Sequence, residues 1–314
     1  MPCPTLTRRH ALLAGAALPF AASLAAALPP RPALAAAEML GTTTPQFYRF
    51  RLGRFEVTTL LSGSRTGDKP QETFGLNVEP SEFAAVSAAN FIPADKTRNF
   101  FTPTLVNTGA ELVLFDTGLN PQSITAALAT AGYAPDQVDI VVLTHMHGDH
   151  IGGLMTEAGP TFANARYVTG AVEHNHWMAA SNDGFDRSVR PLNDKIGFVD
   201  DGGTVVSGIT AMFAPGHTPG HMTYMLESDG TQLALLVDTA NHYVWSLAYP
   251  DWEVRFDIDK PTAAATRRRF LAMLAAERVP FIGYHMPFPA LGYVAPRAGG
   301  FRYVPASYQM LLDG

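Results

Sequence analysis

Four potential metal donors, His145, His147, Asp149 and His150, fall within six residues just after Val138 to Leu143, a continuous apolar run. A run of this kind, without the alternation of a half-exposed strand, suits a strand buried on both faces of a sheet. The donors then occupy the loop at its end, where side chains converge on a cleft while the sheet holds the loop's base. With ten histidines in 314 residues, an H-x-H-x-D-H run arises by accident on the order of once in a thousand such sequences. A coincidental polar turn is a poor account of it.

Around this loop the chain interleaves strands and helices with no internal repeat. Alternation and turn residues predict strands over Tyr48 to Leu52 and Phe55 to Leu61, joined at Gly53-Arg54, and a hairpin of Thr104 to Asn107 with Glu111 to Phe115. Helical patterns cover Pro121 to Ala131, Val172 to Ala180, Arg187 to Lys195 and Thr262 to Glu277. Further strands are predicted over Arg166 to Val168, Thr210 to Phe213, Met222 to Glu227, Gln232 to Val237 and Phe281 to Gly283, the last read as the closing strand. Ser62 to Asn99 reads as irregular apart from a helix over Ser81 to Ala89. This order suits one α/β domain of two sheets with helices outside.

Composition narrows the partners. At 47% hydrophobic and 16% charged the chain is globular, and 22 Lys and Arg against 28 Asp and Glu leave a net charge of -6. That balance argues against nucleic acid, which needs a basic face, and points to a small-molecule substrate. The one long apolar stretch follows Arg8 and Arg9 and ends at Ala33-Leu34-Ala35, which is the pattern of a twin-arginine signal peptide. We therefore expect residues 1–35 to be a signal peptide read by the Tat export machinery, 36–47 a linker and 48–314 the functional domain. The location is then periplasmic or secreted, with no membrane anchor. Cleavage after Ala35 removes three arginines, takes the net charge to -9 and also removes Cys3, the only cysteine. Metal ligands in the mature chain must then be His or carboxylate.

The loop Thr144 to Gly153 resembles the signature of the metallo-β-lactamase superfamily, and further pieces follow in order. Phe115-Asp116-Thr117-Gly118 is similar to the turn that supports the metal loop. Pro215 to His221 supplies a later histidine, Val237-Asp238-Thr239 a carboxylate and Gly283-Tyr284-His285 a last histidine. The resemblance implies an αββα sandwich, two central mixed sheets flanked by helices. It implies that His145, His147 and His217 hold one divalent metal, that Asp149, His150 and His285 hold a second, and that Asp238 bridges them. Such ligands suit Zn²⁺, with Mn²⁺, Co²⁺ and Fe²⁺ open by ligand type.

Within the superfamily the chain resembles most the methyl parathion hydrolase and lactonase-like members, on Val106 to Gly109, Gly216 to Tyr224, Leu233 to Asp238 and the block from His285 to Pro305. A bridging carboxylate without a cysteine ligand departs from the antibiotic-hydrolysing members. The implied activity is hydrolysis of small apolar esters or lactones by a hydroxide shared between the metals, with aryl phosphotriesters as a further substrate class. Asp149 and Asp238 are the implied catalytic carboxylates, Asp149 passing a proton to the leaving group. Trp177 and Phe185 match positions that line the substrate cleft. Asp116 and His221 are expected behind the ligands, orienting them by hydrogen bonds. His174 and His176 are read as surface or packing residues. His242, Tyr243 and Trp245 follow Asp238 closely enough to reach the metals, and their role is left open, as is assembly into a homodimer. The competing readings are a β-lactamase or thioesterase of the same fold, an inactive periplasmic metal-binding domain, and an iron redox protein.

Overall fold

The computed structural model describes residues 38–312, so the signal peptide expected over residues 1–35 lies outside the described residues. The described residues fall into two units, 38–43 and 44–312. In the first unit, residues 38–43 are exposed and without regular structure.

The second unit holds two seven-stranded sheets. In the first, the spatial order is Phe47–Leu52, Phe55–Leu60, Thr104–Asn107, Leu112–Phe115, Ile140–Val142, Arg166–Thr169 and Ile196–Phe198. In the second it is Thr204–Val206, Ile209–Phe213, Met222–Ser228, Thr231–Leu235, Phe281–Ile282, Leu291–Arg297 and Gly300–Pro305. Both sheets mix parallel and antiparallel pairs, as the sandwich reading requires.

Strand alternation explains where the cores sit. Val113, Phe115, Ile140 and Val142 point one way, into a core shared with Ala211, Tyr224, Leu233 and Phe281 of the second sheet. Leu112, Leu114, Val141 and Leu143 point the other way, against Ile124 and Leu128 of the helix Pro121–Thr130. A strand covered on both faces needs apolar residues at every position, and this accounts for the unbroken run before the histidine loop. Asn120 caps the helix by accepting from the Ser123 N–H, with Pro121 in its first turn. Asp259 does the same for Lys260–Glu277 through the Thr262 N–H.

Three sequence readings are corrected. Ser62 to Asn99 is not irregular at its ends: Gly63–Asp68 pairs antiparallel with Lys96–Phe101, and Pro80–Ala89 is helical between them. Its strands are poor in β-branched residues and escaped notice because pairing, not propensity, forms them. Phe281–Ile282 is also not the closing strand, since Leu291–Arg297 and Gly300–Pro305 extend the sheet beyond it as an antiparallel hairpin. The segment read as a helix over Arg187 to Lys195 is a short helix, Asp183–Ser188, followed by a 3-10 turn, Arg190–Lys195.

A third apolar cluster joins the segment between the paired strands to the chain beyond Asp238. Phe74, Phe83 and Val86 pack against Val244, Trp245, Trp252 and Val254, with Phe83 and Trp252 stacked at 5.8 Å.

Candidate metal centre

The seven sequence-predicted donors come from four places in the chain and meet at one end of the sandwich. His145 to His150 follow the strand Ile140–Val142, and Asp238 lies in a 3-10 turn, Val237–Thr239, directly after Thr231–Leu235. His285 follows Phe281–Ile282, and His217 lies on the loop between two antiparallel strands of the second sheet.

Three donor groups form among the described residues: His145, His147 and His217; His145, His150 and Asp238; and Asp149, His150 and His285, with the donor atoms of each within 4.8 Å of one another. Asp238 stands between the first and last of these. Its Oδ2 is 3.3 Å from His217 Nε2 and 3.1 Å from His285 Nε2, and its Oδ1 is 3.4 Å from His150 Nε2. Asp149 Oδ2 is 3.4 Å from His285 Nε2 and 3.6 Å from His150 Nε2.

The cluster fits a pair of divalent cations. His145 Nε2, His150 Nε2 and Asp238 Oδ1 are fully buried and make no hydrogen bond, although a buried polar atom normally finds a partner. All three belong to the middle donor group. The electrostatics agree. Burial and the neighbouring histidines push the His145 imidazole well below its ordinary pKa, and burial with His217 takes His147 down to about 3. Burial opposes a proton on His150, but Asp238, Asp149 and Asp116 overcome it and raise that group. Burial likewise works against ionised Asp238, yet His285 and His150 hold it well below the usual carboxylate range. One crowded set of imidazoles thus contains both a strongly depressed and a strongly raised member, a conflict that cations shared among neutral imidazoles and carboxylates remove.

The residues behind the donors are built as carefully as the donors. Asp116, at φ 60° in the turn under the loop, accepts from the Thr144 N–H at 3.0 Å and the Thr144 hydroxyl at 2.9 Å, and contacts His150 Nδ1 at 2.8 Å. This leaves His150 Nε2 facing the cluster. His221 lies behind Asp238, whose backbone N–H donates to its Nε2 at 3.3 Å, and belongs to none of the three donor groups.

Other supports were not legible beforehand. His217 Nδ1 contacts Asp257 Oδ1 at 2.9 Å, and Arg267 Nη2 donates to Asp257 Oδ2 at 2.6 Å. Arg267 is 1% exposed and also donates to the carbonyls of Thr239 and Pro250, each at 2.8 Å. One buried cation therefore braces both His217 and the turn that carries Asp238. Glu173 is fully buried and accepts from the N–H groups of Met146 and Gly220, the Trp177 indole and the Thr218 hydroxyl. It ties the first histidine loop to the second. Gly220 makes this approach possible, since a Cβ there would lie 2.1 Å from the Glu173 N. The Tyr284 hydroxyl donates to the Asp149 carbonyl at 2.5 Å. Asp257 is 40 residues from its histidine, a separation that no local pattern reports.

The expected cleft wall needs correction. Phe185 has no exposure and Trp177 only 8%; both pack in the core beneath the site, with the Trp177 indole engaged by Glu173. A cavity of about 740 Å³ instead has His147, Asp149, His217, Asp238 and His285 at its base and Phe74, Phe101, Leu119 and Phe256 among its walls, without Trp177 or Phe185. His242 does not reach the donors. It stacks on Trp245 at 3.9 Å, and its Nδ1 accepts from the N–H groups of Val244 and Trp245. His174 packs on Phe185 and Phe198.

Comparisons with known proteins agree with this geometry. The family model described as the metallo-beta-lactamase superfamily matches residues 102–280, more than half of the chain. An N-acyl homoserine lactonase of Bacillus cereus is 27% identical over 119 residues, 38% of this chain and 45% of that protein. A lactamase-like protein of Penicillium aethiopicum is 32% identical over 128 residues, 40% of this chain and 36% of that protein. The match thus spans less than half the length of these curated relatives. Among solved structures, a dizinc quorum-quenching lactonase, in complex with an N-acyl-homoserine product, superposes with a TM-score of 0.78 and 26% identity, covering 84% of this chain and 98% of that one. A hydrolase described as AbOPH of the beta lactamase superfamily gives 0.77 at 22% identity, covering 85% and 100%, a likeness of fold. With its histidine loop, the Asp238 carboxylate between donor groups and the two-sheet frame in place, this chain belongs to the metallo-beta-lactamase superfamily.

Proposed function

We propose that the chain hydrolyses small, mostly apolar esters and lactones, N-acyl homoserine lactones among them, with aryl phosphotriesters as a further class, using two divalent ions, Zn²⁺ first. The observation that carries this reading is the position of Asp238 between two donor groups at the base of a partly apolar cavity. A bound metal pair supplies Lewis acidity and brings the pKa of water toward neutrality.

The chain's own residues supply the rest. Phe74, Phe101 and Leu119 offer surface to an acyl or aryl group and exclude water from it. Asp149 has a side chain 24% exposed against 4% for Asp238, so it is the carboxylate of the pair that a leaving group can reach. It would take up the proton that the attacking water gives up, on the oxygen turned away from the imidazoles, and pass it to the leaving group, a transfer that a good leaving group such as a phenoxide does not require. Asp238, held by Asn241 Nδ2 at 2.9 Å, keeps its orientation throughout. The donor set contains no thiolate, and the lactonase likenesses favour carbonyl over phosphorus chemistry.

A side-by-side assay of metal-replete protein tests the reading with an aryl ester, dihydrocoumarin, an N-acyl homoserine lactone, methyl parathion, a cephalosporin and a glutathione thioester. The expected order places esters and lactones first. A kcat/KM for the cephalosporin or thioester well above all the others overturns the substrate class and leaves the metal site standing. For location, we propose periplasmic delivery by the twin-arginine route. Arg8→Lys with Arg9→Lys should leave precursor in the cytoplasm, and normal delivery of that variant would refute the route.

A further inference from the structure

The strand pair Gly63–Asp68 and Lys96–Phe101 covers one side of the cavity, which Thr66 and Asp68 also border, and its register sets which side chains stand together on one face. Arg65 lies directly opposite Asn99, Gly67 opposite Thr97 and Gly63 opposite Phe101. Side chains alternate along a strand and directly opposed residues share a face. Arg65, Thr97, Asn99 and Phe101 therefore belong to one face of this pair, and all four line the cavity. Ser64, Arg98 and Phe100 belong to the other face, where Arg98 donates to the Ser64 hydroxyl at 2.6 Å and lies over the Phe100 ring. Two arginines one strand apart thus have different fates: Arg98 is spent on its own strand pair, whereas Arg65 faces the substrate space.

A second cation arrives from a different part of the chain. Arg255 lines the same cavity, and its guanidinium carbon sits 4.8 Å from the centre of the Phe256 ring, a stacking that restrains a long side chain. Neither Arg65 nor Arg255 forms an ion pair among the described residues, whereas Arg49, Arg54, Arg190, Arg267 and Arg268 do. Asp68 also reaches the cavity and makes no ion pair with either. In a chain of net charge -6, two guanidinium groups without ion pairs line a cavity whose carboxylates Asp149 and Asp238 lie among the donors at its base, with Asp68 the acid on its walls.

We propose that Arg65, Asn99 and Arg255 form a carboxylate-recognition subsite at the mouth of the cavity, so that preferred substrates are esters or lactones carrying a carboxylate away from the scissile bond. This rests on the hydrolase reading of the same cavity. The chemistry fits the group: a guanidinium presents a planar fork of donors matched to the two oxygens of a carboxylate, and the Asn99 amide adds further donors. A cavity of about 740 Å³ is roughly 10 Å across if compact, a drug-sized space, so an acyl chain of a few carbons can reach from the base to the rim. Phe74 and Phe101 then face the chain between its two polar ends.

The test uses two matched esters on the full-length, metal-loaded protein: 4-nitrophenyl octanoate, and the mono-4-nitrophenyl ester of suberic acid, which replaces the terminal methyl by a carboxylate at the far end of a chain long enough to reach from base to rim. The wild type should favour the suberate ester in kcat/KM by about tenfold or more at low salt, the gain lying in KM and shrinking as salt rises. Arg65→Gln and Arg255→Gln should each reduce that preference ratio several-fold, and the double variant should bring it near one. Arg65→Lys, which keeps charge but loses the fork, should restore it only in part. A wild-type ratio of one or below, or a ratio unmoved by both substitutions, overturns the subsite. If neither ester is cleaved, the hydrolase reading fails separately. Competition of glutarate against a fluorescent carboxylate probe then decides the subsite, a loss of binding in the double variant supporting it and unchanged binding refuting it.

Discussion

The base of the cavity and its rim are built from opposite materials. Beneath the donors lie Asp116, Glu173, Asp257 and Arg267, buried polar groups each engaged by several partners. At the rim, Phe74, Phe83, Trp245 and Trp252 form a small apolar core of their own, and the polar side chains above it are exposed. A satisfied buried polar network allows few arrangements, because every displaced group loses a partner it cannot replace. An apolar cluster tolerates adjustment at lower cost. The contrast implies a division of labour in which the base fixes the reaction and the rim adapts the substrate.

The sharpest way to break that division is at the donors. Asp238→Ala should remove at least one metal per chain and lower activity by more than about 1000-fold, with His147→Ala and His285→Ala close behind. Elemental analysis of purified protein checks this, and wild-type metal content near one that Asp238→Ala leaves unchanged would refute the bridging assignment. Next comes the base itself. Arg267→Met leaves Asp257 buried without its cation, a change costing about 3–5 kcal/mol of stability. It should also weaken metal binding about 10–100-fold by freeing His217. Chemical denaturation and metal titration read the two effects independently, and unaltered metal affinity in a folded variant would mean that the brace serves the frame alone.

At the rim, Trp252→Ala should cost about 3–5 kcal/mol of stability locally but change kcat less than KM, since no donor rests on Trp252. An equal fall in kcat across all substrates would erase the distinction between base and rim. The smallest effect is a proton linkage. Burial takes His242 down to about 3, below its ordinary value near 6.5. Its neutral form is therefore the folded one. This contribution is complete above about pH 6.5 and is lost as pH falls toward 3, at up to about 1.4 kcal/mol per pH unit. His242→Asn keeps an acceptor but cannot titrate, so wild type should lose ground to it between pH 6.5 and 5 in urea unfolding. A gap that stays constant with pH would show that His242 takes up its proton without leaving the fold.

Much of this molecule was legible early for identifiable reasons. The strand Ile140–Val142 announced itself by burial on both faces, and the donors by their density after it. Asp116 and His221, expected behind the donors, contact His150 and the Asp238 backbone. Trp177 and Phe185 were misplaced because an aromatic in the right stretch of chain reads the same whether it turns to the cleft or to the core. Glu173 went unnoticed beside His174 and His176, whose imidazoles pack on Phe185, Phe198 and Trp177, His174 also meeting Asn193 Oδ1 at 3.1 Å. The strands Gly63–Asp68 and Lys96–Phe101 lack an apolar face, so nothing periodic marked them.

What the sequence determined by itself was a cluster of four candidate donors in six residues after a strand buried on both faces; His217, Asp238, His285 and the two-sheet sandwich came from the family resemblance that this short pattern carries. What only the tertiary structure decided was how the donors are held and what the cavity offers a substrate. Asp257 meets His217 across 40 residues, and Arg267 joins both to the turn of Asp238. Arg65 meets the cavity because of a strand register set against Asn99. Such contacts depend on chain closure between distant segments, whose cost and reward are settled by packing of the whole rather than by any residue's neighbours in sequence.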